Sequence, residues 1–514
     1  MSKNLKIVYI TSELAPFSKS GGLADVASSL PRQLVREGCD VDIITPFHRD
    51  CLLVPHVRFQ KIREHIPISL SEGTCIECSF LKTEIKEGKK RGKLTIYFID
   101  NYRLFRSRKW LYSYDDDACR YFFFSMAALR LIKELNLNPD IIHCNDWETG
   151  IIPYLLKRKI KLGYPTLFTL HNLAYQGQGI LNERKTPRSL RDDGGSKLPK
   201  FCHKEKFRLI NFTKRAILHA DTINTVSERY AKEIVTPDFG EGLERYLKSR
   251  KKDLFGIVNG IDNSVYNPKF DDRIYVNFDE SSLNKKVKNK LKLQRELGLK
   301  IDANIPLIGL TNRLSEQKGF DLLIKIIDKL MKKSLQIVIA GSGEKSYISF
   351  FEKKAGKYSR KLSFITPFLS EIEPKVDSAS DLYLLPSRFE PCGISPLISL
   401  RYGAIPIVRK VGGLSDTIKE FDPKEKTGNG FTFKKYDSLQ LLSAIERALT
   451  FYKDKKLWQS LVRRAMQQSF SWEIPARKYV MLYKKVIRQA KARGNQESRI
   501  RNYELRLGIR RLGS

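Results

Sequence analysis

Residues 5–45 read LKIVYITSELAPFSKSGGLADVASSLPRQLVREGCDVDIIT. Leu5–Leu14 is rich in Ile and Val, the composition of a buried strand. A loop with Pro16 and Lys19-Ser-Gly-Gly22 follows. From Leu23 to Glu37 the apolar residues fall at helical spacing, and Gly38 is a stop. Val41–Thr45 is a second short apolar strand. Strand, loop, helix and strand in this order make a βαβ unit, the building block of a parallel sheet.

Working outward, Leu94–Ile99, Asp140–Cys144 and Pro165–Leu170 are further strands, with a long amphipathic helix near Tyr114–Leu135. Residues 50–93 alternate like an antiparallel hairpin and are expected on the edge of this sheet. A second series follows Asn259-Gly260: Ile305–Leu310, Gln336–Ala340, Leu362–Phe368, Asp381–Leu385 and Ile405–Arg409, separated by helix-length segments. The basic amphipathic stretch Lys285–Leu299 suits the first helix of this half. The expected fold is therefore α/β, two Rossmann-like parallel-sheet domains facing each other across a cleft. The expected division is 1–260, 261–474, a C-terminal helix over 475–490 crossing back to the first domain, and a disordered basic tail over 491–514. Closure of the two domains around a ligand is part of that expectation.

Gly21-Gly-Leu-Ala-Asp25 in the first half is echoed by Gly412-Gly-Leu-Ser-Asp416 in the second, each after a strand and opening a helix. Glycine there lets the backbone approach a ligand, and a helix N-terminus offers N–H groups and partial positive charge to an anion. A tight turn repeated by chance is the plain alternative.

In open α/β sheets, ligands bind beyond the carboxyl ends of the strands. Unusual polar residues stand there repeatedly: Lys19, Asp146, His171-Asn172, Arg313, Lys318-Gly319 and Glu390-Pro-Cys-Gly393. Singly, each has an ordinary reading. Asp146 suits a helix N-cap before Trp147, His171 a structural histidine, Arg313 a surface partner of Glu316, and Glu390 a loop carboxylate beside Arg388. Together, three cations and two glycine-rich helix starts suit a diphosphate, while a carboxylate and a histidine suit a sugar. An activated sugar carries both groups, and Arg and Lys would neutralise the charge developing on its leaving diphosphate.

Other motifs fail. Asp40-Val-Asp42 enters a strand and reads as an edge feature. Cys75-Ile-Glu-Cys78 lacks the second pair that a zinc site needs. No Walker loop, nucleophile elbow or metalloprotease helix is present, so the expected chemistry uses no metal and no cofactor. With 41% hydrophobic and 29% charged residues the 514-residue chain reads as globular, with no stretch near the roughly 18 apolar residues of a membrane helix. Eight cysteines and no signal-peptide pattern suggest reduced thiols and a cytoplasmic location, or a plastid stroma were the source a plant. The excess of 93 Lys+Arg over 57 Asp+Glu gives +36, which invites anionic partners. A solvated basic surface explains it more simply than nucleic acid, for which no reading motif is present, and no membrane partner is expected.

Several collinear stretches carry a resemblance. They are Thr11-Ser-Glu-Leu-Ala-Pro-Phe17 with Lys19-Ser-Gly-Gly-Leu-Ala-Asp-Val26, His143-Cys-Asn-Asp-Trp-Glu-Thr-Gly150, His171-Asn-Leu-Ala-Tyr-Gln-Gly177 and Phe239-Gly-Glu-Gly-Leu243. Val258-Asn-Gly-Ile-Asp262, Arg313-Leu-Ser-Glu-Gln-Lys-Gly-Phe320, Pro386-Ser-Arg-Phe-Glu-Pro-Cys-Gly393 and Gly412-Gly-Leu-Ser-Asp416 continue the series. From Ile7 to about Val486 the chain resembles the bacterial glycogen synthase and plant starch synthase family, retaining glycosyltransferases of the GT-B fold. The resemblance implies transfer of glucose from ADP-glucose to the non-reducing end of an α-1,4-glucan.

It also implies roles for single residues. Lys19, with Gly21 and Gly22, would bind the donor phosphates and bias the donor towards ADP. Arg313 and Lys318 would hold the diphosphate, and Glu390 would contact the transferred glucose. Cys392, Gly393, Gly412 and Gly413 would complete the donor site. His171 would lie beside the anomeric carbon, Asp146 would bind glucose hydroxyls or position the acceptor, and Tyr175 and Gln176 would lie on the acceptor side.

Ser20 is a mild departure from the family, Glu373-Pro-Lys-Val376 lacks a frequent basic pair, and Ser395-Pro396 replaces a usual Thr-Gln. A proline in a helix's first turn is tolerable, so altered rather than abolished donor binding is expected. The competing readings are a transferase with another donor nucleotide or a small acceptor, and an inactive glucan-binding relative.

Overall fold

The computed structural model describes residues 4–71, 74–84, 92–160, 162–180, 209–369 and 371–506. By its internal contacts the chain divides into two compact units, Met1–Thr225 with Ile234–Ile257 and Glu473–Ser514, and Val226–Glu233 with Val258–Trp472. The short stretch 226–233, which the sequence reading keeps with the first domain, goes with the second unit. Two hydrogen bonds explain this. The Gly412 N–H donates to the Glu233 carboxylate at 2.9 Å, and the Arg229 N–H donates to Asp416 at 2.8 Å.

The first unit is built on a nine-stranded sheet. Its strands are β1 (Lys6–Ile10), β2 (Asp40–Pro46), β3 (Gln60–Ser71), β4 (Thr74–Glu84), β5 (Leu94–Asp100), β6 (Ile141–Asn145), β7 (Thr166–Leu170), β10 (Thr222–Thr225) and β11 (Leu254–Gly256). A separate two-stranded ribbon pairs β8 (Gln178–Ile180) with β9 (Leu209–Asn211). The sheet order is β11-β10-β7-β6-β1-β2-β5-β4-β3. The pairings from β11 to β5 are parallel, while β5–β4 and β4–β3 are antiparallel, so the hairpin lies at the edge as expected. The direction of winding reverses at β1, which has β6 on one side and β2 on the other.

Asp40 is not an edge feature: β2 lies inside the sheet, and the Asp40 carboxylate accepts the Lys93 N–H at 3.0 Å. Helix α1 (Gly22–Arg36) follows β1, and Ala24, Ala27, Leu30 and Leu34 on its inner face are wholly buried. Helix α2 (Asp117–Glu134) buries Tyr121, Phe123, Phe124 and Leu131. These apolar residues recur at the three-to-four spacing that gives a helix one core-facing side.

The second unit holds a six-stranded parallel sheet: β12 (Leu307–Thr311), β13 (Gln336–Ala340), β14 (Leu362–Ile365), β15 (Leu382–Leu385), β16 (Ile405–Arg409) and β17 (Phe431–Phe433). Its order, β14-β13-β12-β15-β16-β17, is the doubly wound 3-2-1-4-5-6 arrangement with the switch between β12 and β15. Helices α3 (Leu283–Glu296), α4 (Phe320–Met331), α5 (Ile394–Arg401) and α6 (Gly412–Thr417) serve this unit.

Helix α7 (Glu473–Arg506) belongs to the first unit. Its Tyr483 hydroxyl lies 2.8 Å from His143 Nδ1, and the Asn224 amide donates to the Tyr479 hydroxyl at 2.8 Å. All four side chains are buried, so the helix is fastened to the sheet by polar contacts as well as apolar ones. The helix continues to Arg506, past the point where the sequence reading begins a disordered tail. Lys, Arg, Ala, Gln and Glu dominate 484–506, and all are strong helix formers. The last residues, 507–514, lie outside the described ones.

Candidate active site

At the carboxyl end of β1 the chain enters the loop that leads to α1. Glu13 lies in it, 4% exposed, and its carboxylate accepts the N–H groups of Ser20 at 2.7 Å and Gly21 at 3.0 Å. The Tyr112 hydroxyl donates to the same carboxylate at 2.8 Å, and Ser12 Oγ stands 2.9 Å from that hydroxyl. Burial raises the Glu13 carboxyl above its usual range, and these three donors oppose the rise. Two of the N–H groups that the sequence offers to an anion are thus already occupied by a side chain of the chain itself. Lys19 points its ammonium to Asp25 at 2.8 Å, with its side chain 47% exposed.

Beyond β6, Asp146 has φ +53 and ψ −176, a conformation that L residues rarely adopt. Three hydrogen bonds over-determine it. Its N–H donates to the Thr169 carbonyl at 2.9 Å, and its Oδ1 accepts from the N–H of His171 at 2.7 Å and of Asn172 at 3.4 Å. The carboxylate therefore joins the end of β6 to the end of β7. It makes no capping bond to the short turn Trp147–Thr149, so the N-cap reading is overturned. Burial holds the Asp146 carboxyl well above its ordinary value, and the nearby Glu13 charge adds to this.

His171 Nε2 lies 3.1 Å from Asn145 Oδ1, and burial pushes the imidazole down to about 3, so the ring is neutral at pH 7. Glu148 adds a third buried carboxyl, also pushed up by burial, and its Oε2 has no hydrogen-bond partner among the described residues.

Tyr175 and Gln176 diverge. The Tyr175 ring is half exposed, but the Gln176 amide is buried and committed, donating to the Glu241 carbonyl at 2.8 Å and accepting from Asn211 at 2.6 Å. Gly177, at φ +61, follows because a Cβ there would stand 2.2 Å from the Trp147 ring.

In the second unit, the ends of β12 and β15 carry the polar residues, as the switch-point rule requires. Arg313 is an exposed side chain two residues beyond β12. Lys318 ends a 3-10 turn stopped by Gly319 at φ +78, where a Cβ would meet the Pro386 carbonyl at 2.1 Å. That close approach brings the Lys318 ammonium to the Glu390 carboxylate at 2.7 Å, and the Ser387 hydroxyl donates to the same oxygen at 3.0 Å. Glu390 is 6% exposed, so this loop carboxylate is buried and paired with Lys318 and not with the neighbouring Arg388. Arg388 instead pairs with Glu316 at 2.7 Å.

The second glycine pair is packed onto this loop. The Gly413 N–H donates to the Glu390 carbonyl at 3.1 Å, and a Cβ on Gly413 would meet the Cys392 carbonyl at 2.1 Å. The Gly412 N–H is held by Glu233, so the amides of this pair are satisfied internally, as they are in the first pair. Gly393, at φ +82, opens α5, with the Leu414 side chain 2.4 Å from where its Cβ would be. Cys392 is buried and its thiol is pushed up to about 12, so it is a neutral packing group. Pro396 sits in the first turn of α5, where its missing N–H costs no helical bond.

Thus Asp146 and His171 are brought together in the first unit, and Lys318, Glu390, Cys392, Gly393, Gly412 and Gly413 in the second. Glu13, Tyr112, Asn145 and Glu233 are partners that the sequence reading does not single out. Only Glu13 carries a local signal, as a carboxylate just past a buried strand and ahead of a glycine pair. Among the described residues no group of His, Cys, Asp and Glu could hold a metal ion, and no helix is long and apolar enough to cross a membrane.

Comparison with known proteins gives the family. The starch synthase catalytic domain family matches residues 6–249, and the group 1 glycosyl transferases match residues 298–467. The glycogen synthase of Thermotoga petrophila is 42% identical, over 94% of this chain and 99% of its own. That of Moorella thermoacetica is 41% identical, over 96% and 99%. The solved catalytic domain of starch synthase IV from Arabidopsis thaliana, bound to ADP and acarbose, superposes with a TM-score of 0.85 at 32% identity, over 94% of this chain and 100% of that one. The chain therefore belongs to the glycogen synthase and starch synthase family, GT-B glycosyltransferases that transfer glucose in glycogen and starch synthesis.

Proposed function

We propose that the chain transfers glucose from ADP-glucose to the non-reducing end of an α-1,4-glucan with retention of configuration. The carrying observation is the kinship over nearly the whole chain with a starch synthase whose structure holds ADP. The Lys318–Glu390 pair supports it, since a cation for phosphate stands 2.7 Å from a buried acceptor suited to sugar hydroxyls.

In this reading Lys19, with Gly21 and Gly22, meets the donor phosphates, and Arg313 and Lys318 hold the diphosphate. Glu390, His171 and Asp146 contact the glucose, with Asp146 also able to position the acceptor. Cys392, Gly393, Gly412 and Gly413 shape the donor loop. Tyr175 lines the acceptor side, where Gln176 acts by fixing the loop. The anomeric carbon loses its bond to the β-phosphate oxygen and gains one to the glucan 4-oxygen on the same face, while the hydroxyl proton passes to the departing phosphate. Cationic side chains stabilise the charge that develops on that phosphate.

The partners are ADP-glucose and the glucan, with neither nucleic acid nor membrane, and a cytoplasmic location goes with this reading. Nothing supports the plastid alternative.

The test is transfer of labelled glucose to glycogen from ADP-glucose and from UDP-glucose, with wild type and Lys19→Ala. Preference for ADP-glucose, weakened by the variant, is expected. Preference for UDP-glucose would overturn the donor assignment, and glycogen binding without transfer from either donor would favour an inactive relative.

A further inference from the structure

A neutral imidazole carries its proton on one of two nitrogens, and the choice decides what the ring can offer a substrate. For His171 the surrounding hydrogen bonds fix that choice. Asn145, the last residue of β6, is fully buried, and its Nδ2 lies 3.0 Å from the Ile10 carbonyl oxygen. A carbonyl can only accept, so the amide must present its NH2 group to Ile10 and its Oδ1 to the other side. The reverse orientation would set two oxygens against each other in a buried place. Oδ1 is the atom 3.1 Å from His171 Nε2. An amide oxygen also can only accept, so Nε2 must carry the proton and Nδ1 must be bare. The residue is also held through its main chain, because the His171 backbone N–H donates to Asp146 at 2.7 Å. His143 stands outside this chain of bonds, with its own nitrogens on the Tyr483 and Thr169 hydroxyls.

We propose that Asn145 is a positioning residue that locks His171 in its Nε2–H form, so that His171 meets a substrate hydroxyl as a hydrogen-bond acceptor through Nδ1 and not as a proton donor. The kinetic half of this rests on the reading of His171 as a substrate-facing residue; the tautomer half does not.

The test is a two-bond proton–nitrogen correlation spectrum of the full chain labelled with 15N-histidine. Loss of one signal in His171→Ala assigns the ring among the seven histidines. Wild type should show a bare Nδ1 and a protonated Nε2. Asn145→Leu, which keeps the volume, and Asn145→Ala should both give a mixture of tautomers. Both should also lower kcat by about tenfold, the worth of one well-placed hydrogen bond, with the KM for glycogen unmoved. A protonated Nδ1 on the assigned wild-type ring, a result that does not depend on either Asn145 variant folding, would overturn the proposal. So would a single Nε2–H form that persists in both variants. A mixture of tautomers with kcat within about twofold of wild type would sink the acceptor role and leave His171 outside the chemistry.

Discussion

Replacing Glu13 by alanine removes the acceptor that fixes the Ser20 and Gly21 backbone, and the consequence can be worked from the contacts. Three donors converge on this carboxylate, but they do not lose equally. The Tyr112 hydroxyl still has Ser12 Oγ at 2.9 Å, so it is not orphaned. Ser20 is exposed and Gly21 half-buried, so water can reach their N–H groups once the carboxylate has gone. The loss is therefore below the usual range for hydrogen bonds to a charged group, about 1 kcal/mol for each of the two amides. Against it stands the cost of burying Glu13, visible in its raised carboxyl pKa, which the alanine variant no longer carries. Global stability should move little.

The loop's bias towards its present form should fall by about 2 kcal/mol, about thirtyfold in population. If that form presents Lys19 to the donor, the KM for ADP-glucose should rise, by at most about thirtyfold, with kcat and the KM for glycogen nearly unchanged. Glu13→Gln keeps an oxygen for the two amides and should recover most of the loss. Initial rates across donor and glycogen concentrations, beside thermal melts, separate these effects. A folded Glu13→Ala with unchanged donor KM would refute the reasoning. A lowered donor KM would refute it more informatively, showing that the carboxylate competes with the phosphates for the amides.

Other consequences follow from the same contacts. Gly413→Ala should cut kcat/KM by at least about tenfold, because the Cys392 carbonyl must move from 2.1 Å, whereas Gly21→Ala, extended and with open space at its Cβ, should keep its melting temperature. Lys318→Met strands the Glu390 carboxylate beside Ser387 alone and should cost about 2 kcal/mol in urea unfolding, together with a fall in donor turnover. Glu148→Gln tests the buried carboxyls. A carboxyl whose folded pKa is raised favours the folded state below its unfolded pKa, and that contribution is lost as pH rises through the folded pKa. The glutamine variant should therefore match wild type near pH 4 and exceed it at pH 8, the gap growing by up to about 1.4 kcal/mol per pH unit within the window. Equal urea midpoints at both pH values would show that Glu148 is ionised and solvated in the folded chain.

Much of this architecture could be read from the chain because the strands that carry it are apolar and bounded by turn residues, as Lys6–Ile10 and Gln336–Ala340 are. What stayed hidden is short or distant. Thr222–Thr225, Leu254–Gly256 and Phe431–Phe433 have three or four residues each, too few for alternation to stand out, and they are strands because a neighbour offers its edge. The residues at strand ends were legible through the rule that ligands gather there. Their partners were not, since Tyr112 reaches Glu13 across 99 positions and Glu233 reaches Gly412 across 179, and no local pattern encodes such pairs.

The glycine echo shows where reading by motif and reading by contact part. Both pairs follow a strand and open a helix, and in both a buried glutamate holds a backbone N–H, Glu13 on the first and Glu233 on the second. The pairs are nevertheless glycine for different reasons. In Gly412-Gly413 a side chain is forbidden, because the Glu390 and Cys392 carbonyls stand about where each Cβ would be, at 1.9 and 2.1 Å. Gly21 meets no such wall and has an extended backbone, so sterics alone would admit alanine. The open space over Gly21 therefore asks for another explanation, and a ligand that must come close to this backbone supplies one. In this reading the second pair shapes the protein around Glu390, while the first keeps a surface clear beside Lys19. Gly21→Ala separates the two: an unaltered melting temperature with a raised KM for ADP-glucose is the expected result, and an unaltered KM would mean that the space over Gly21 is used by nothing.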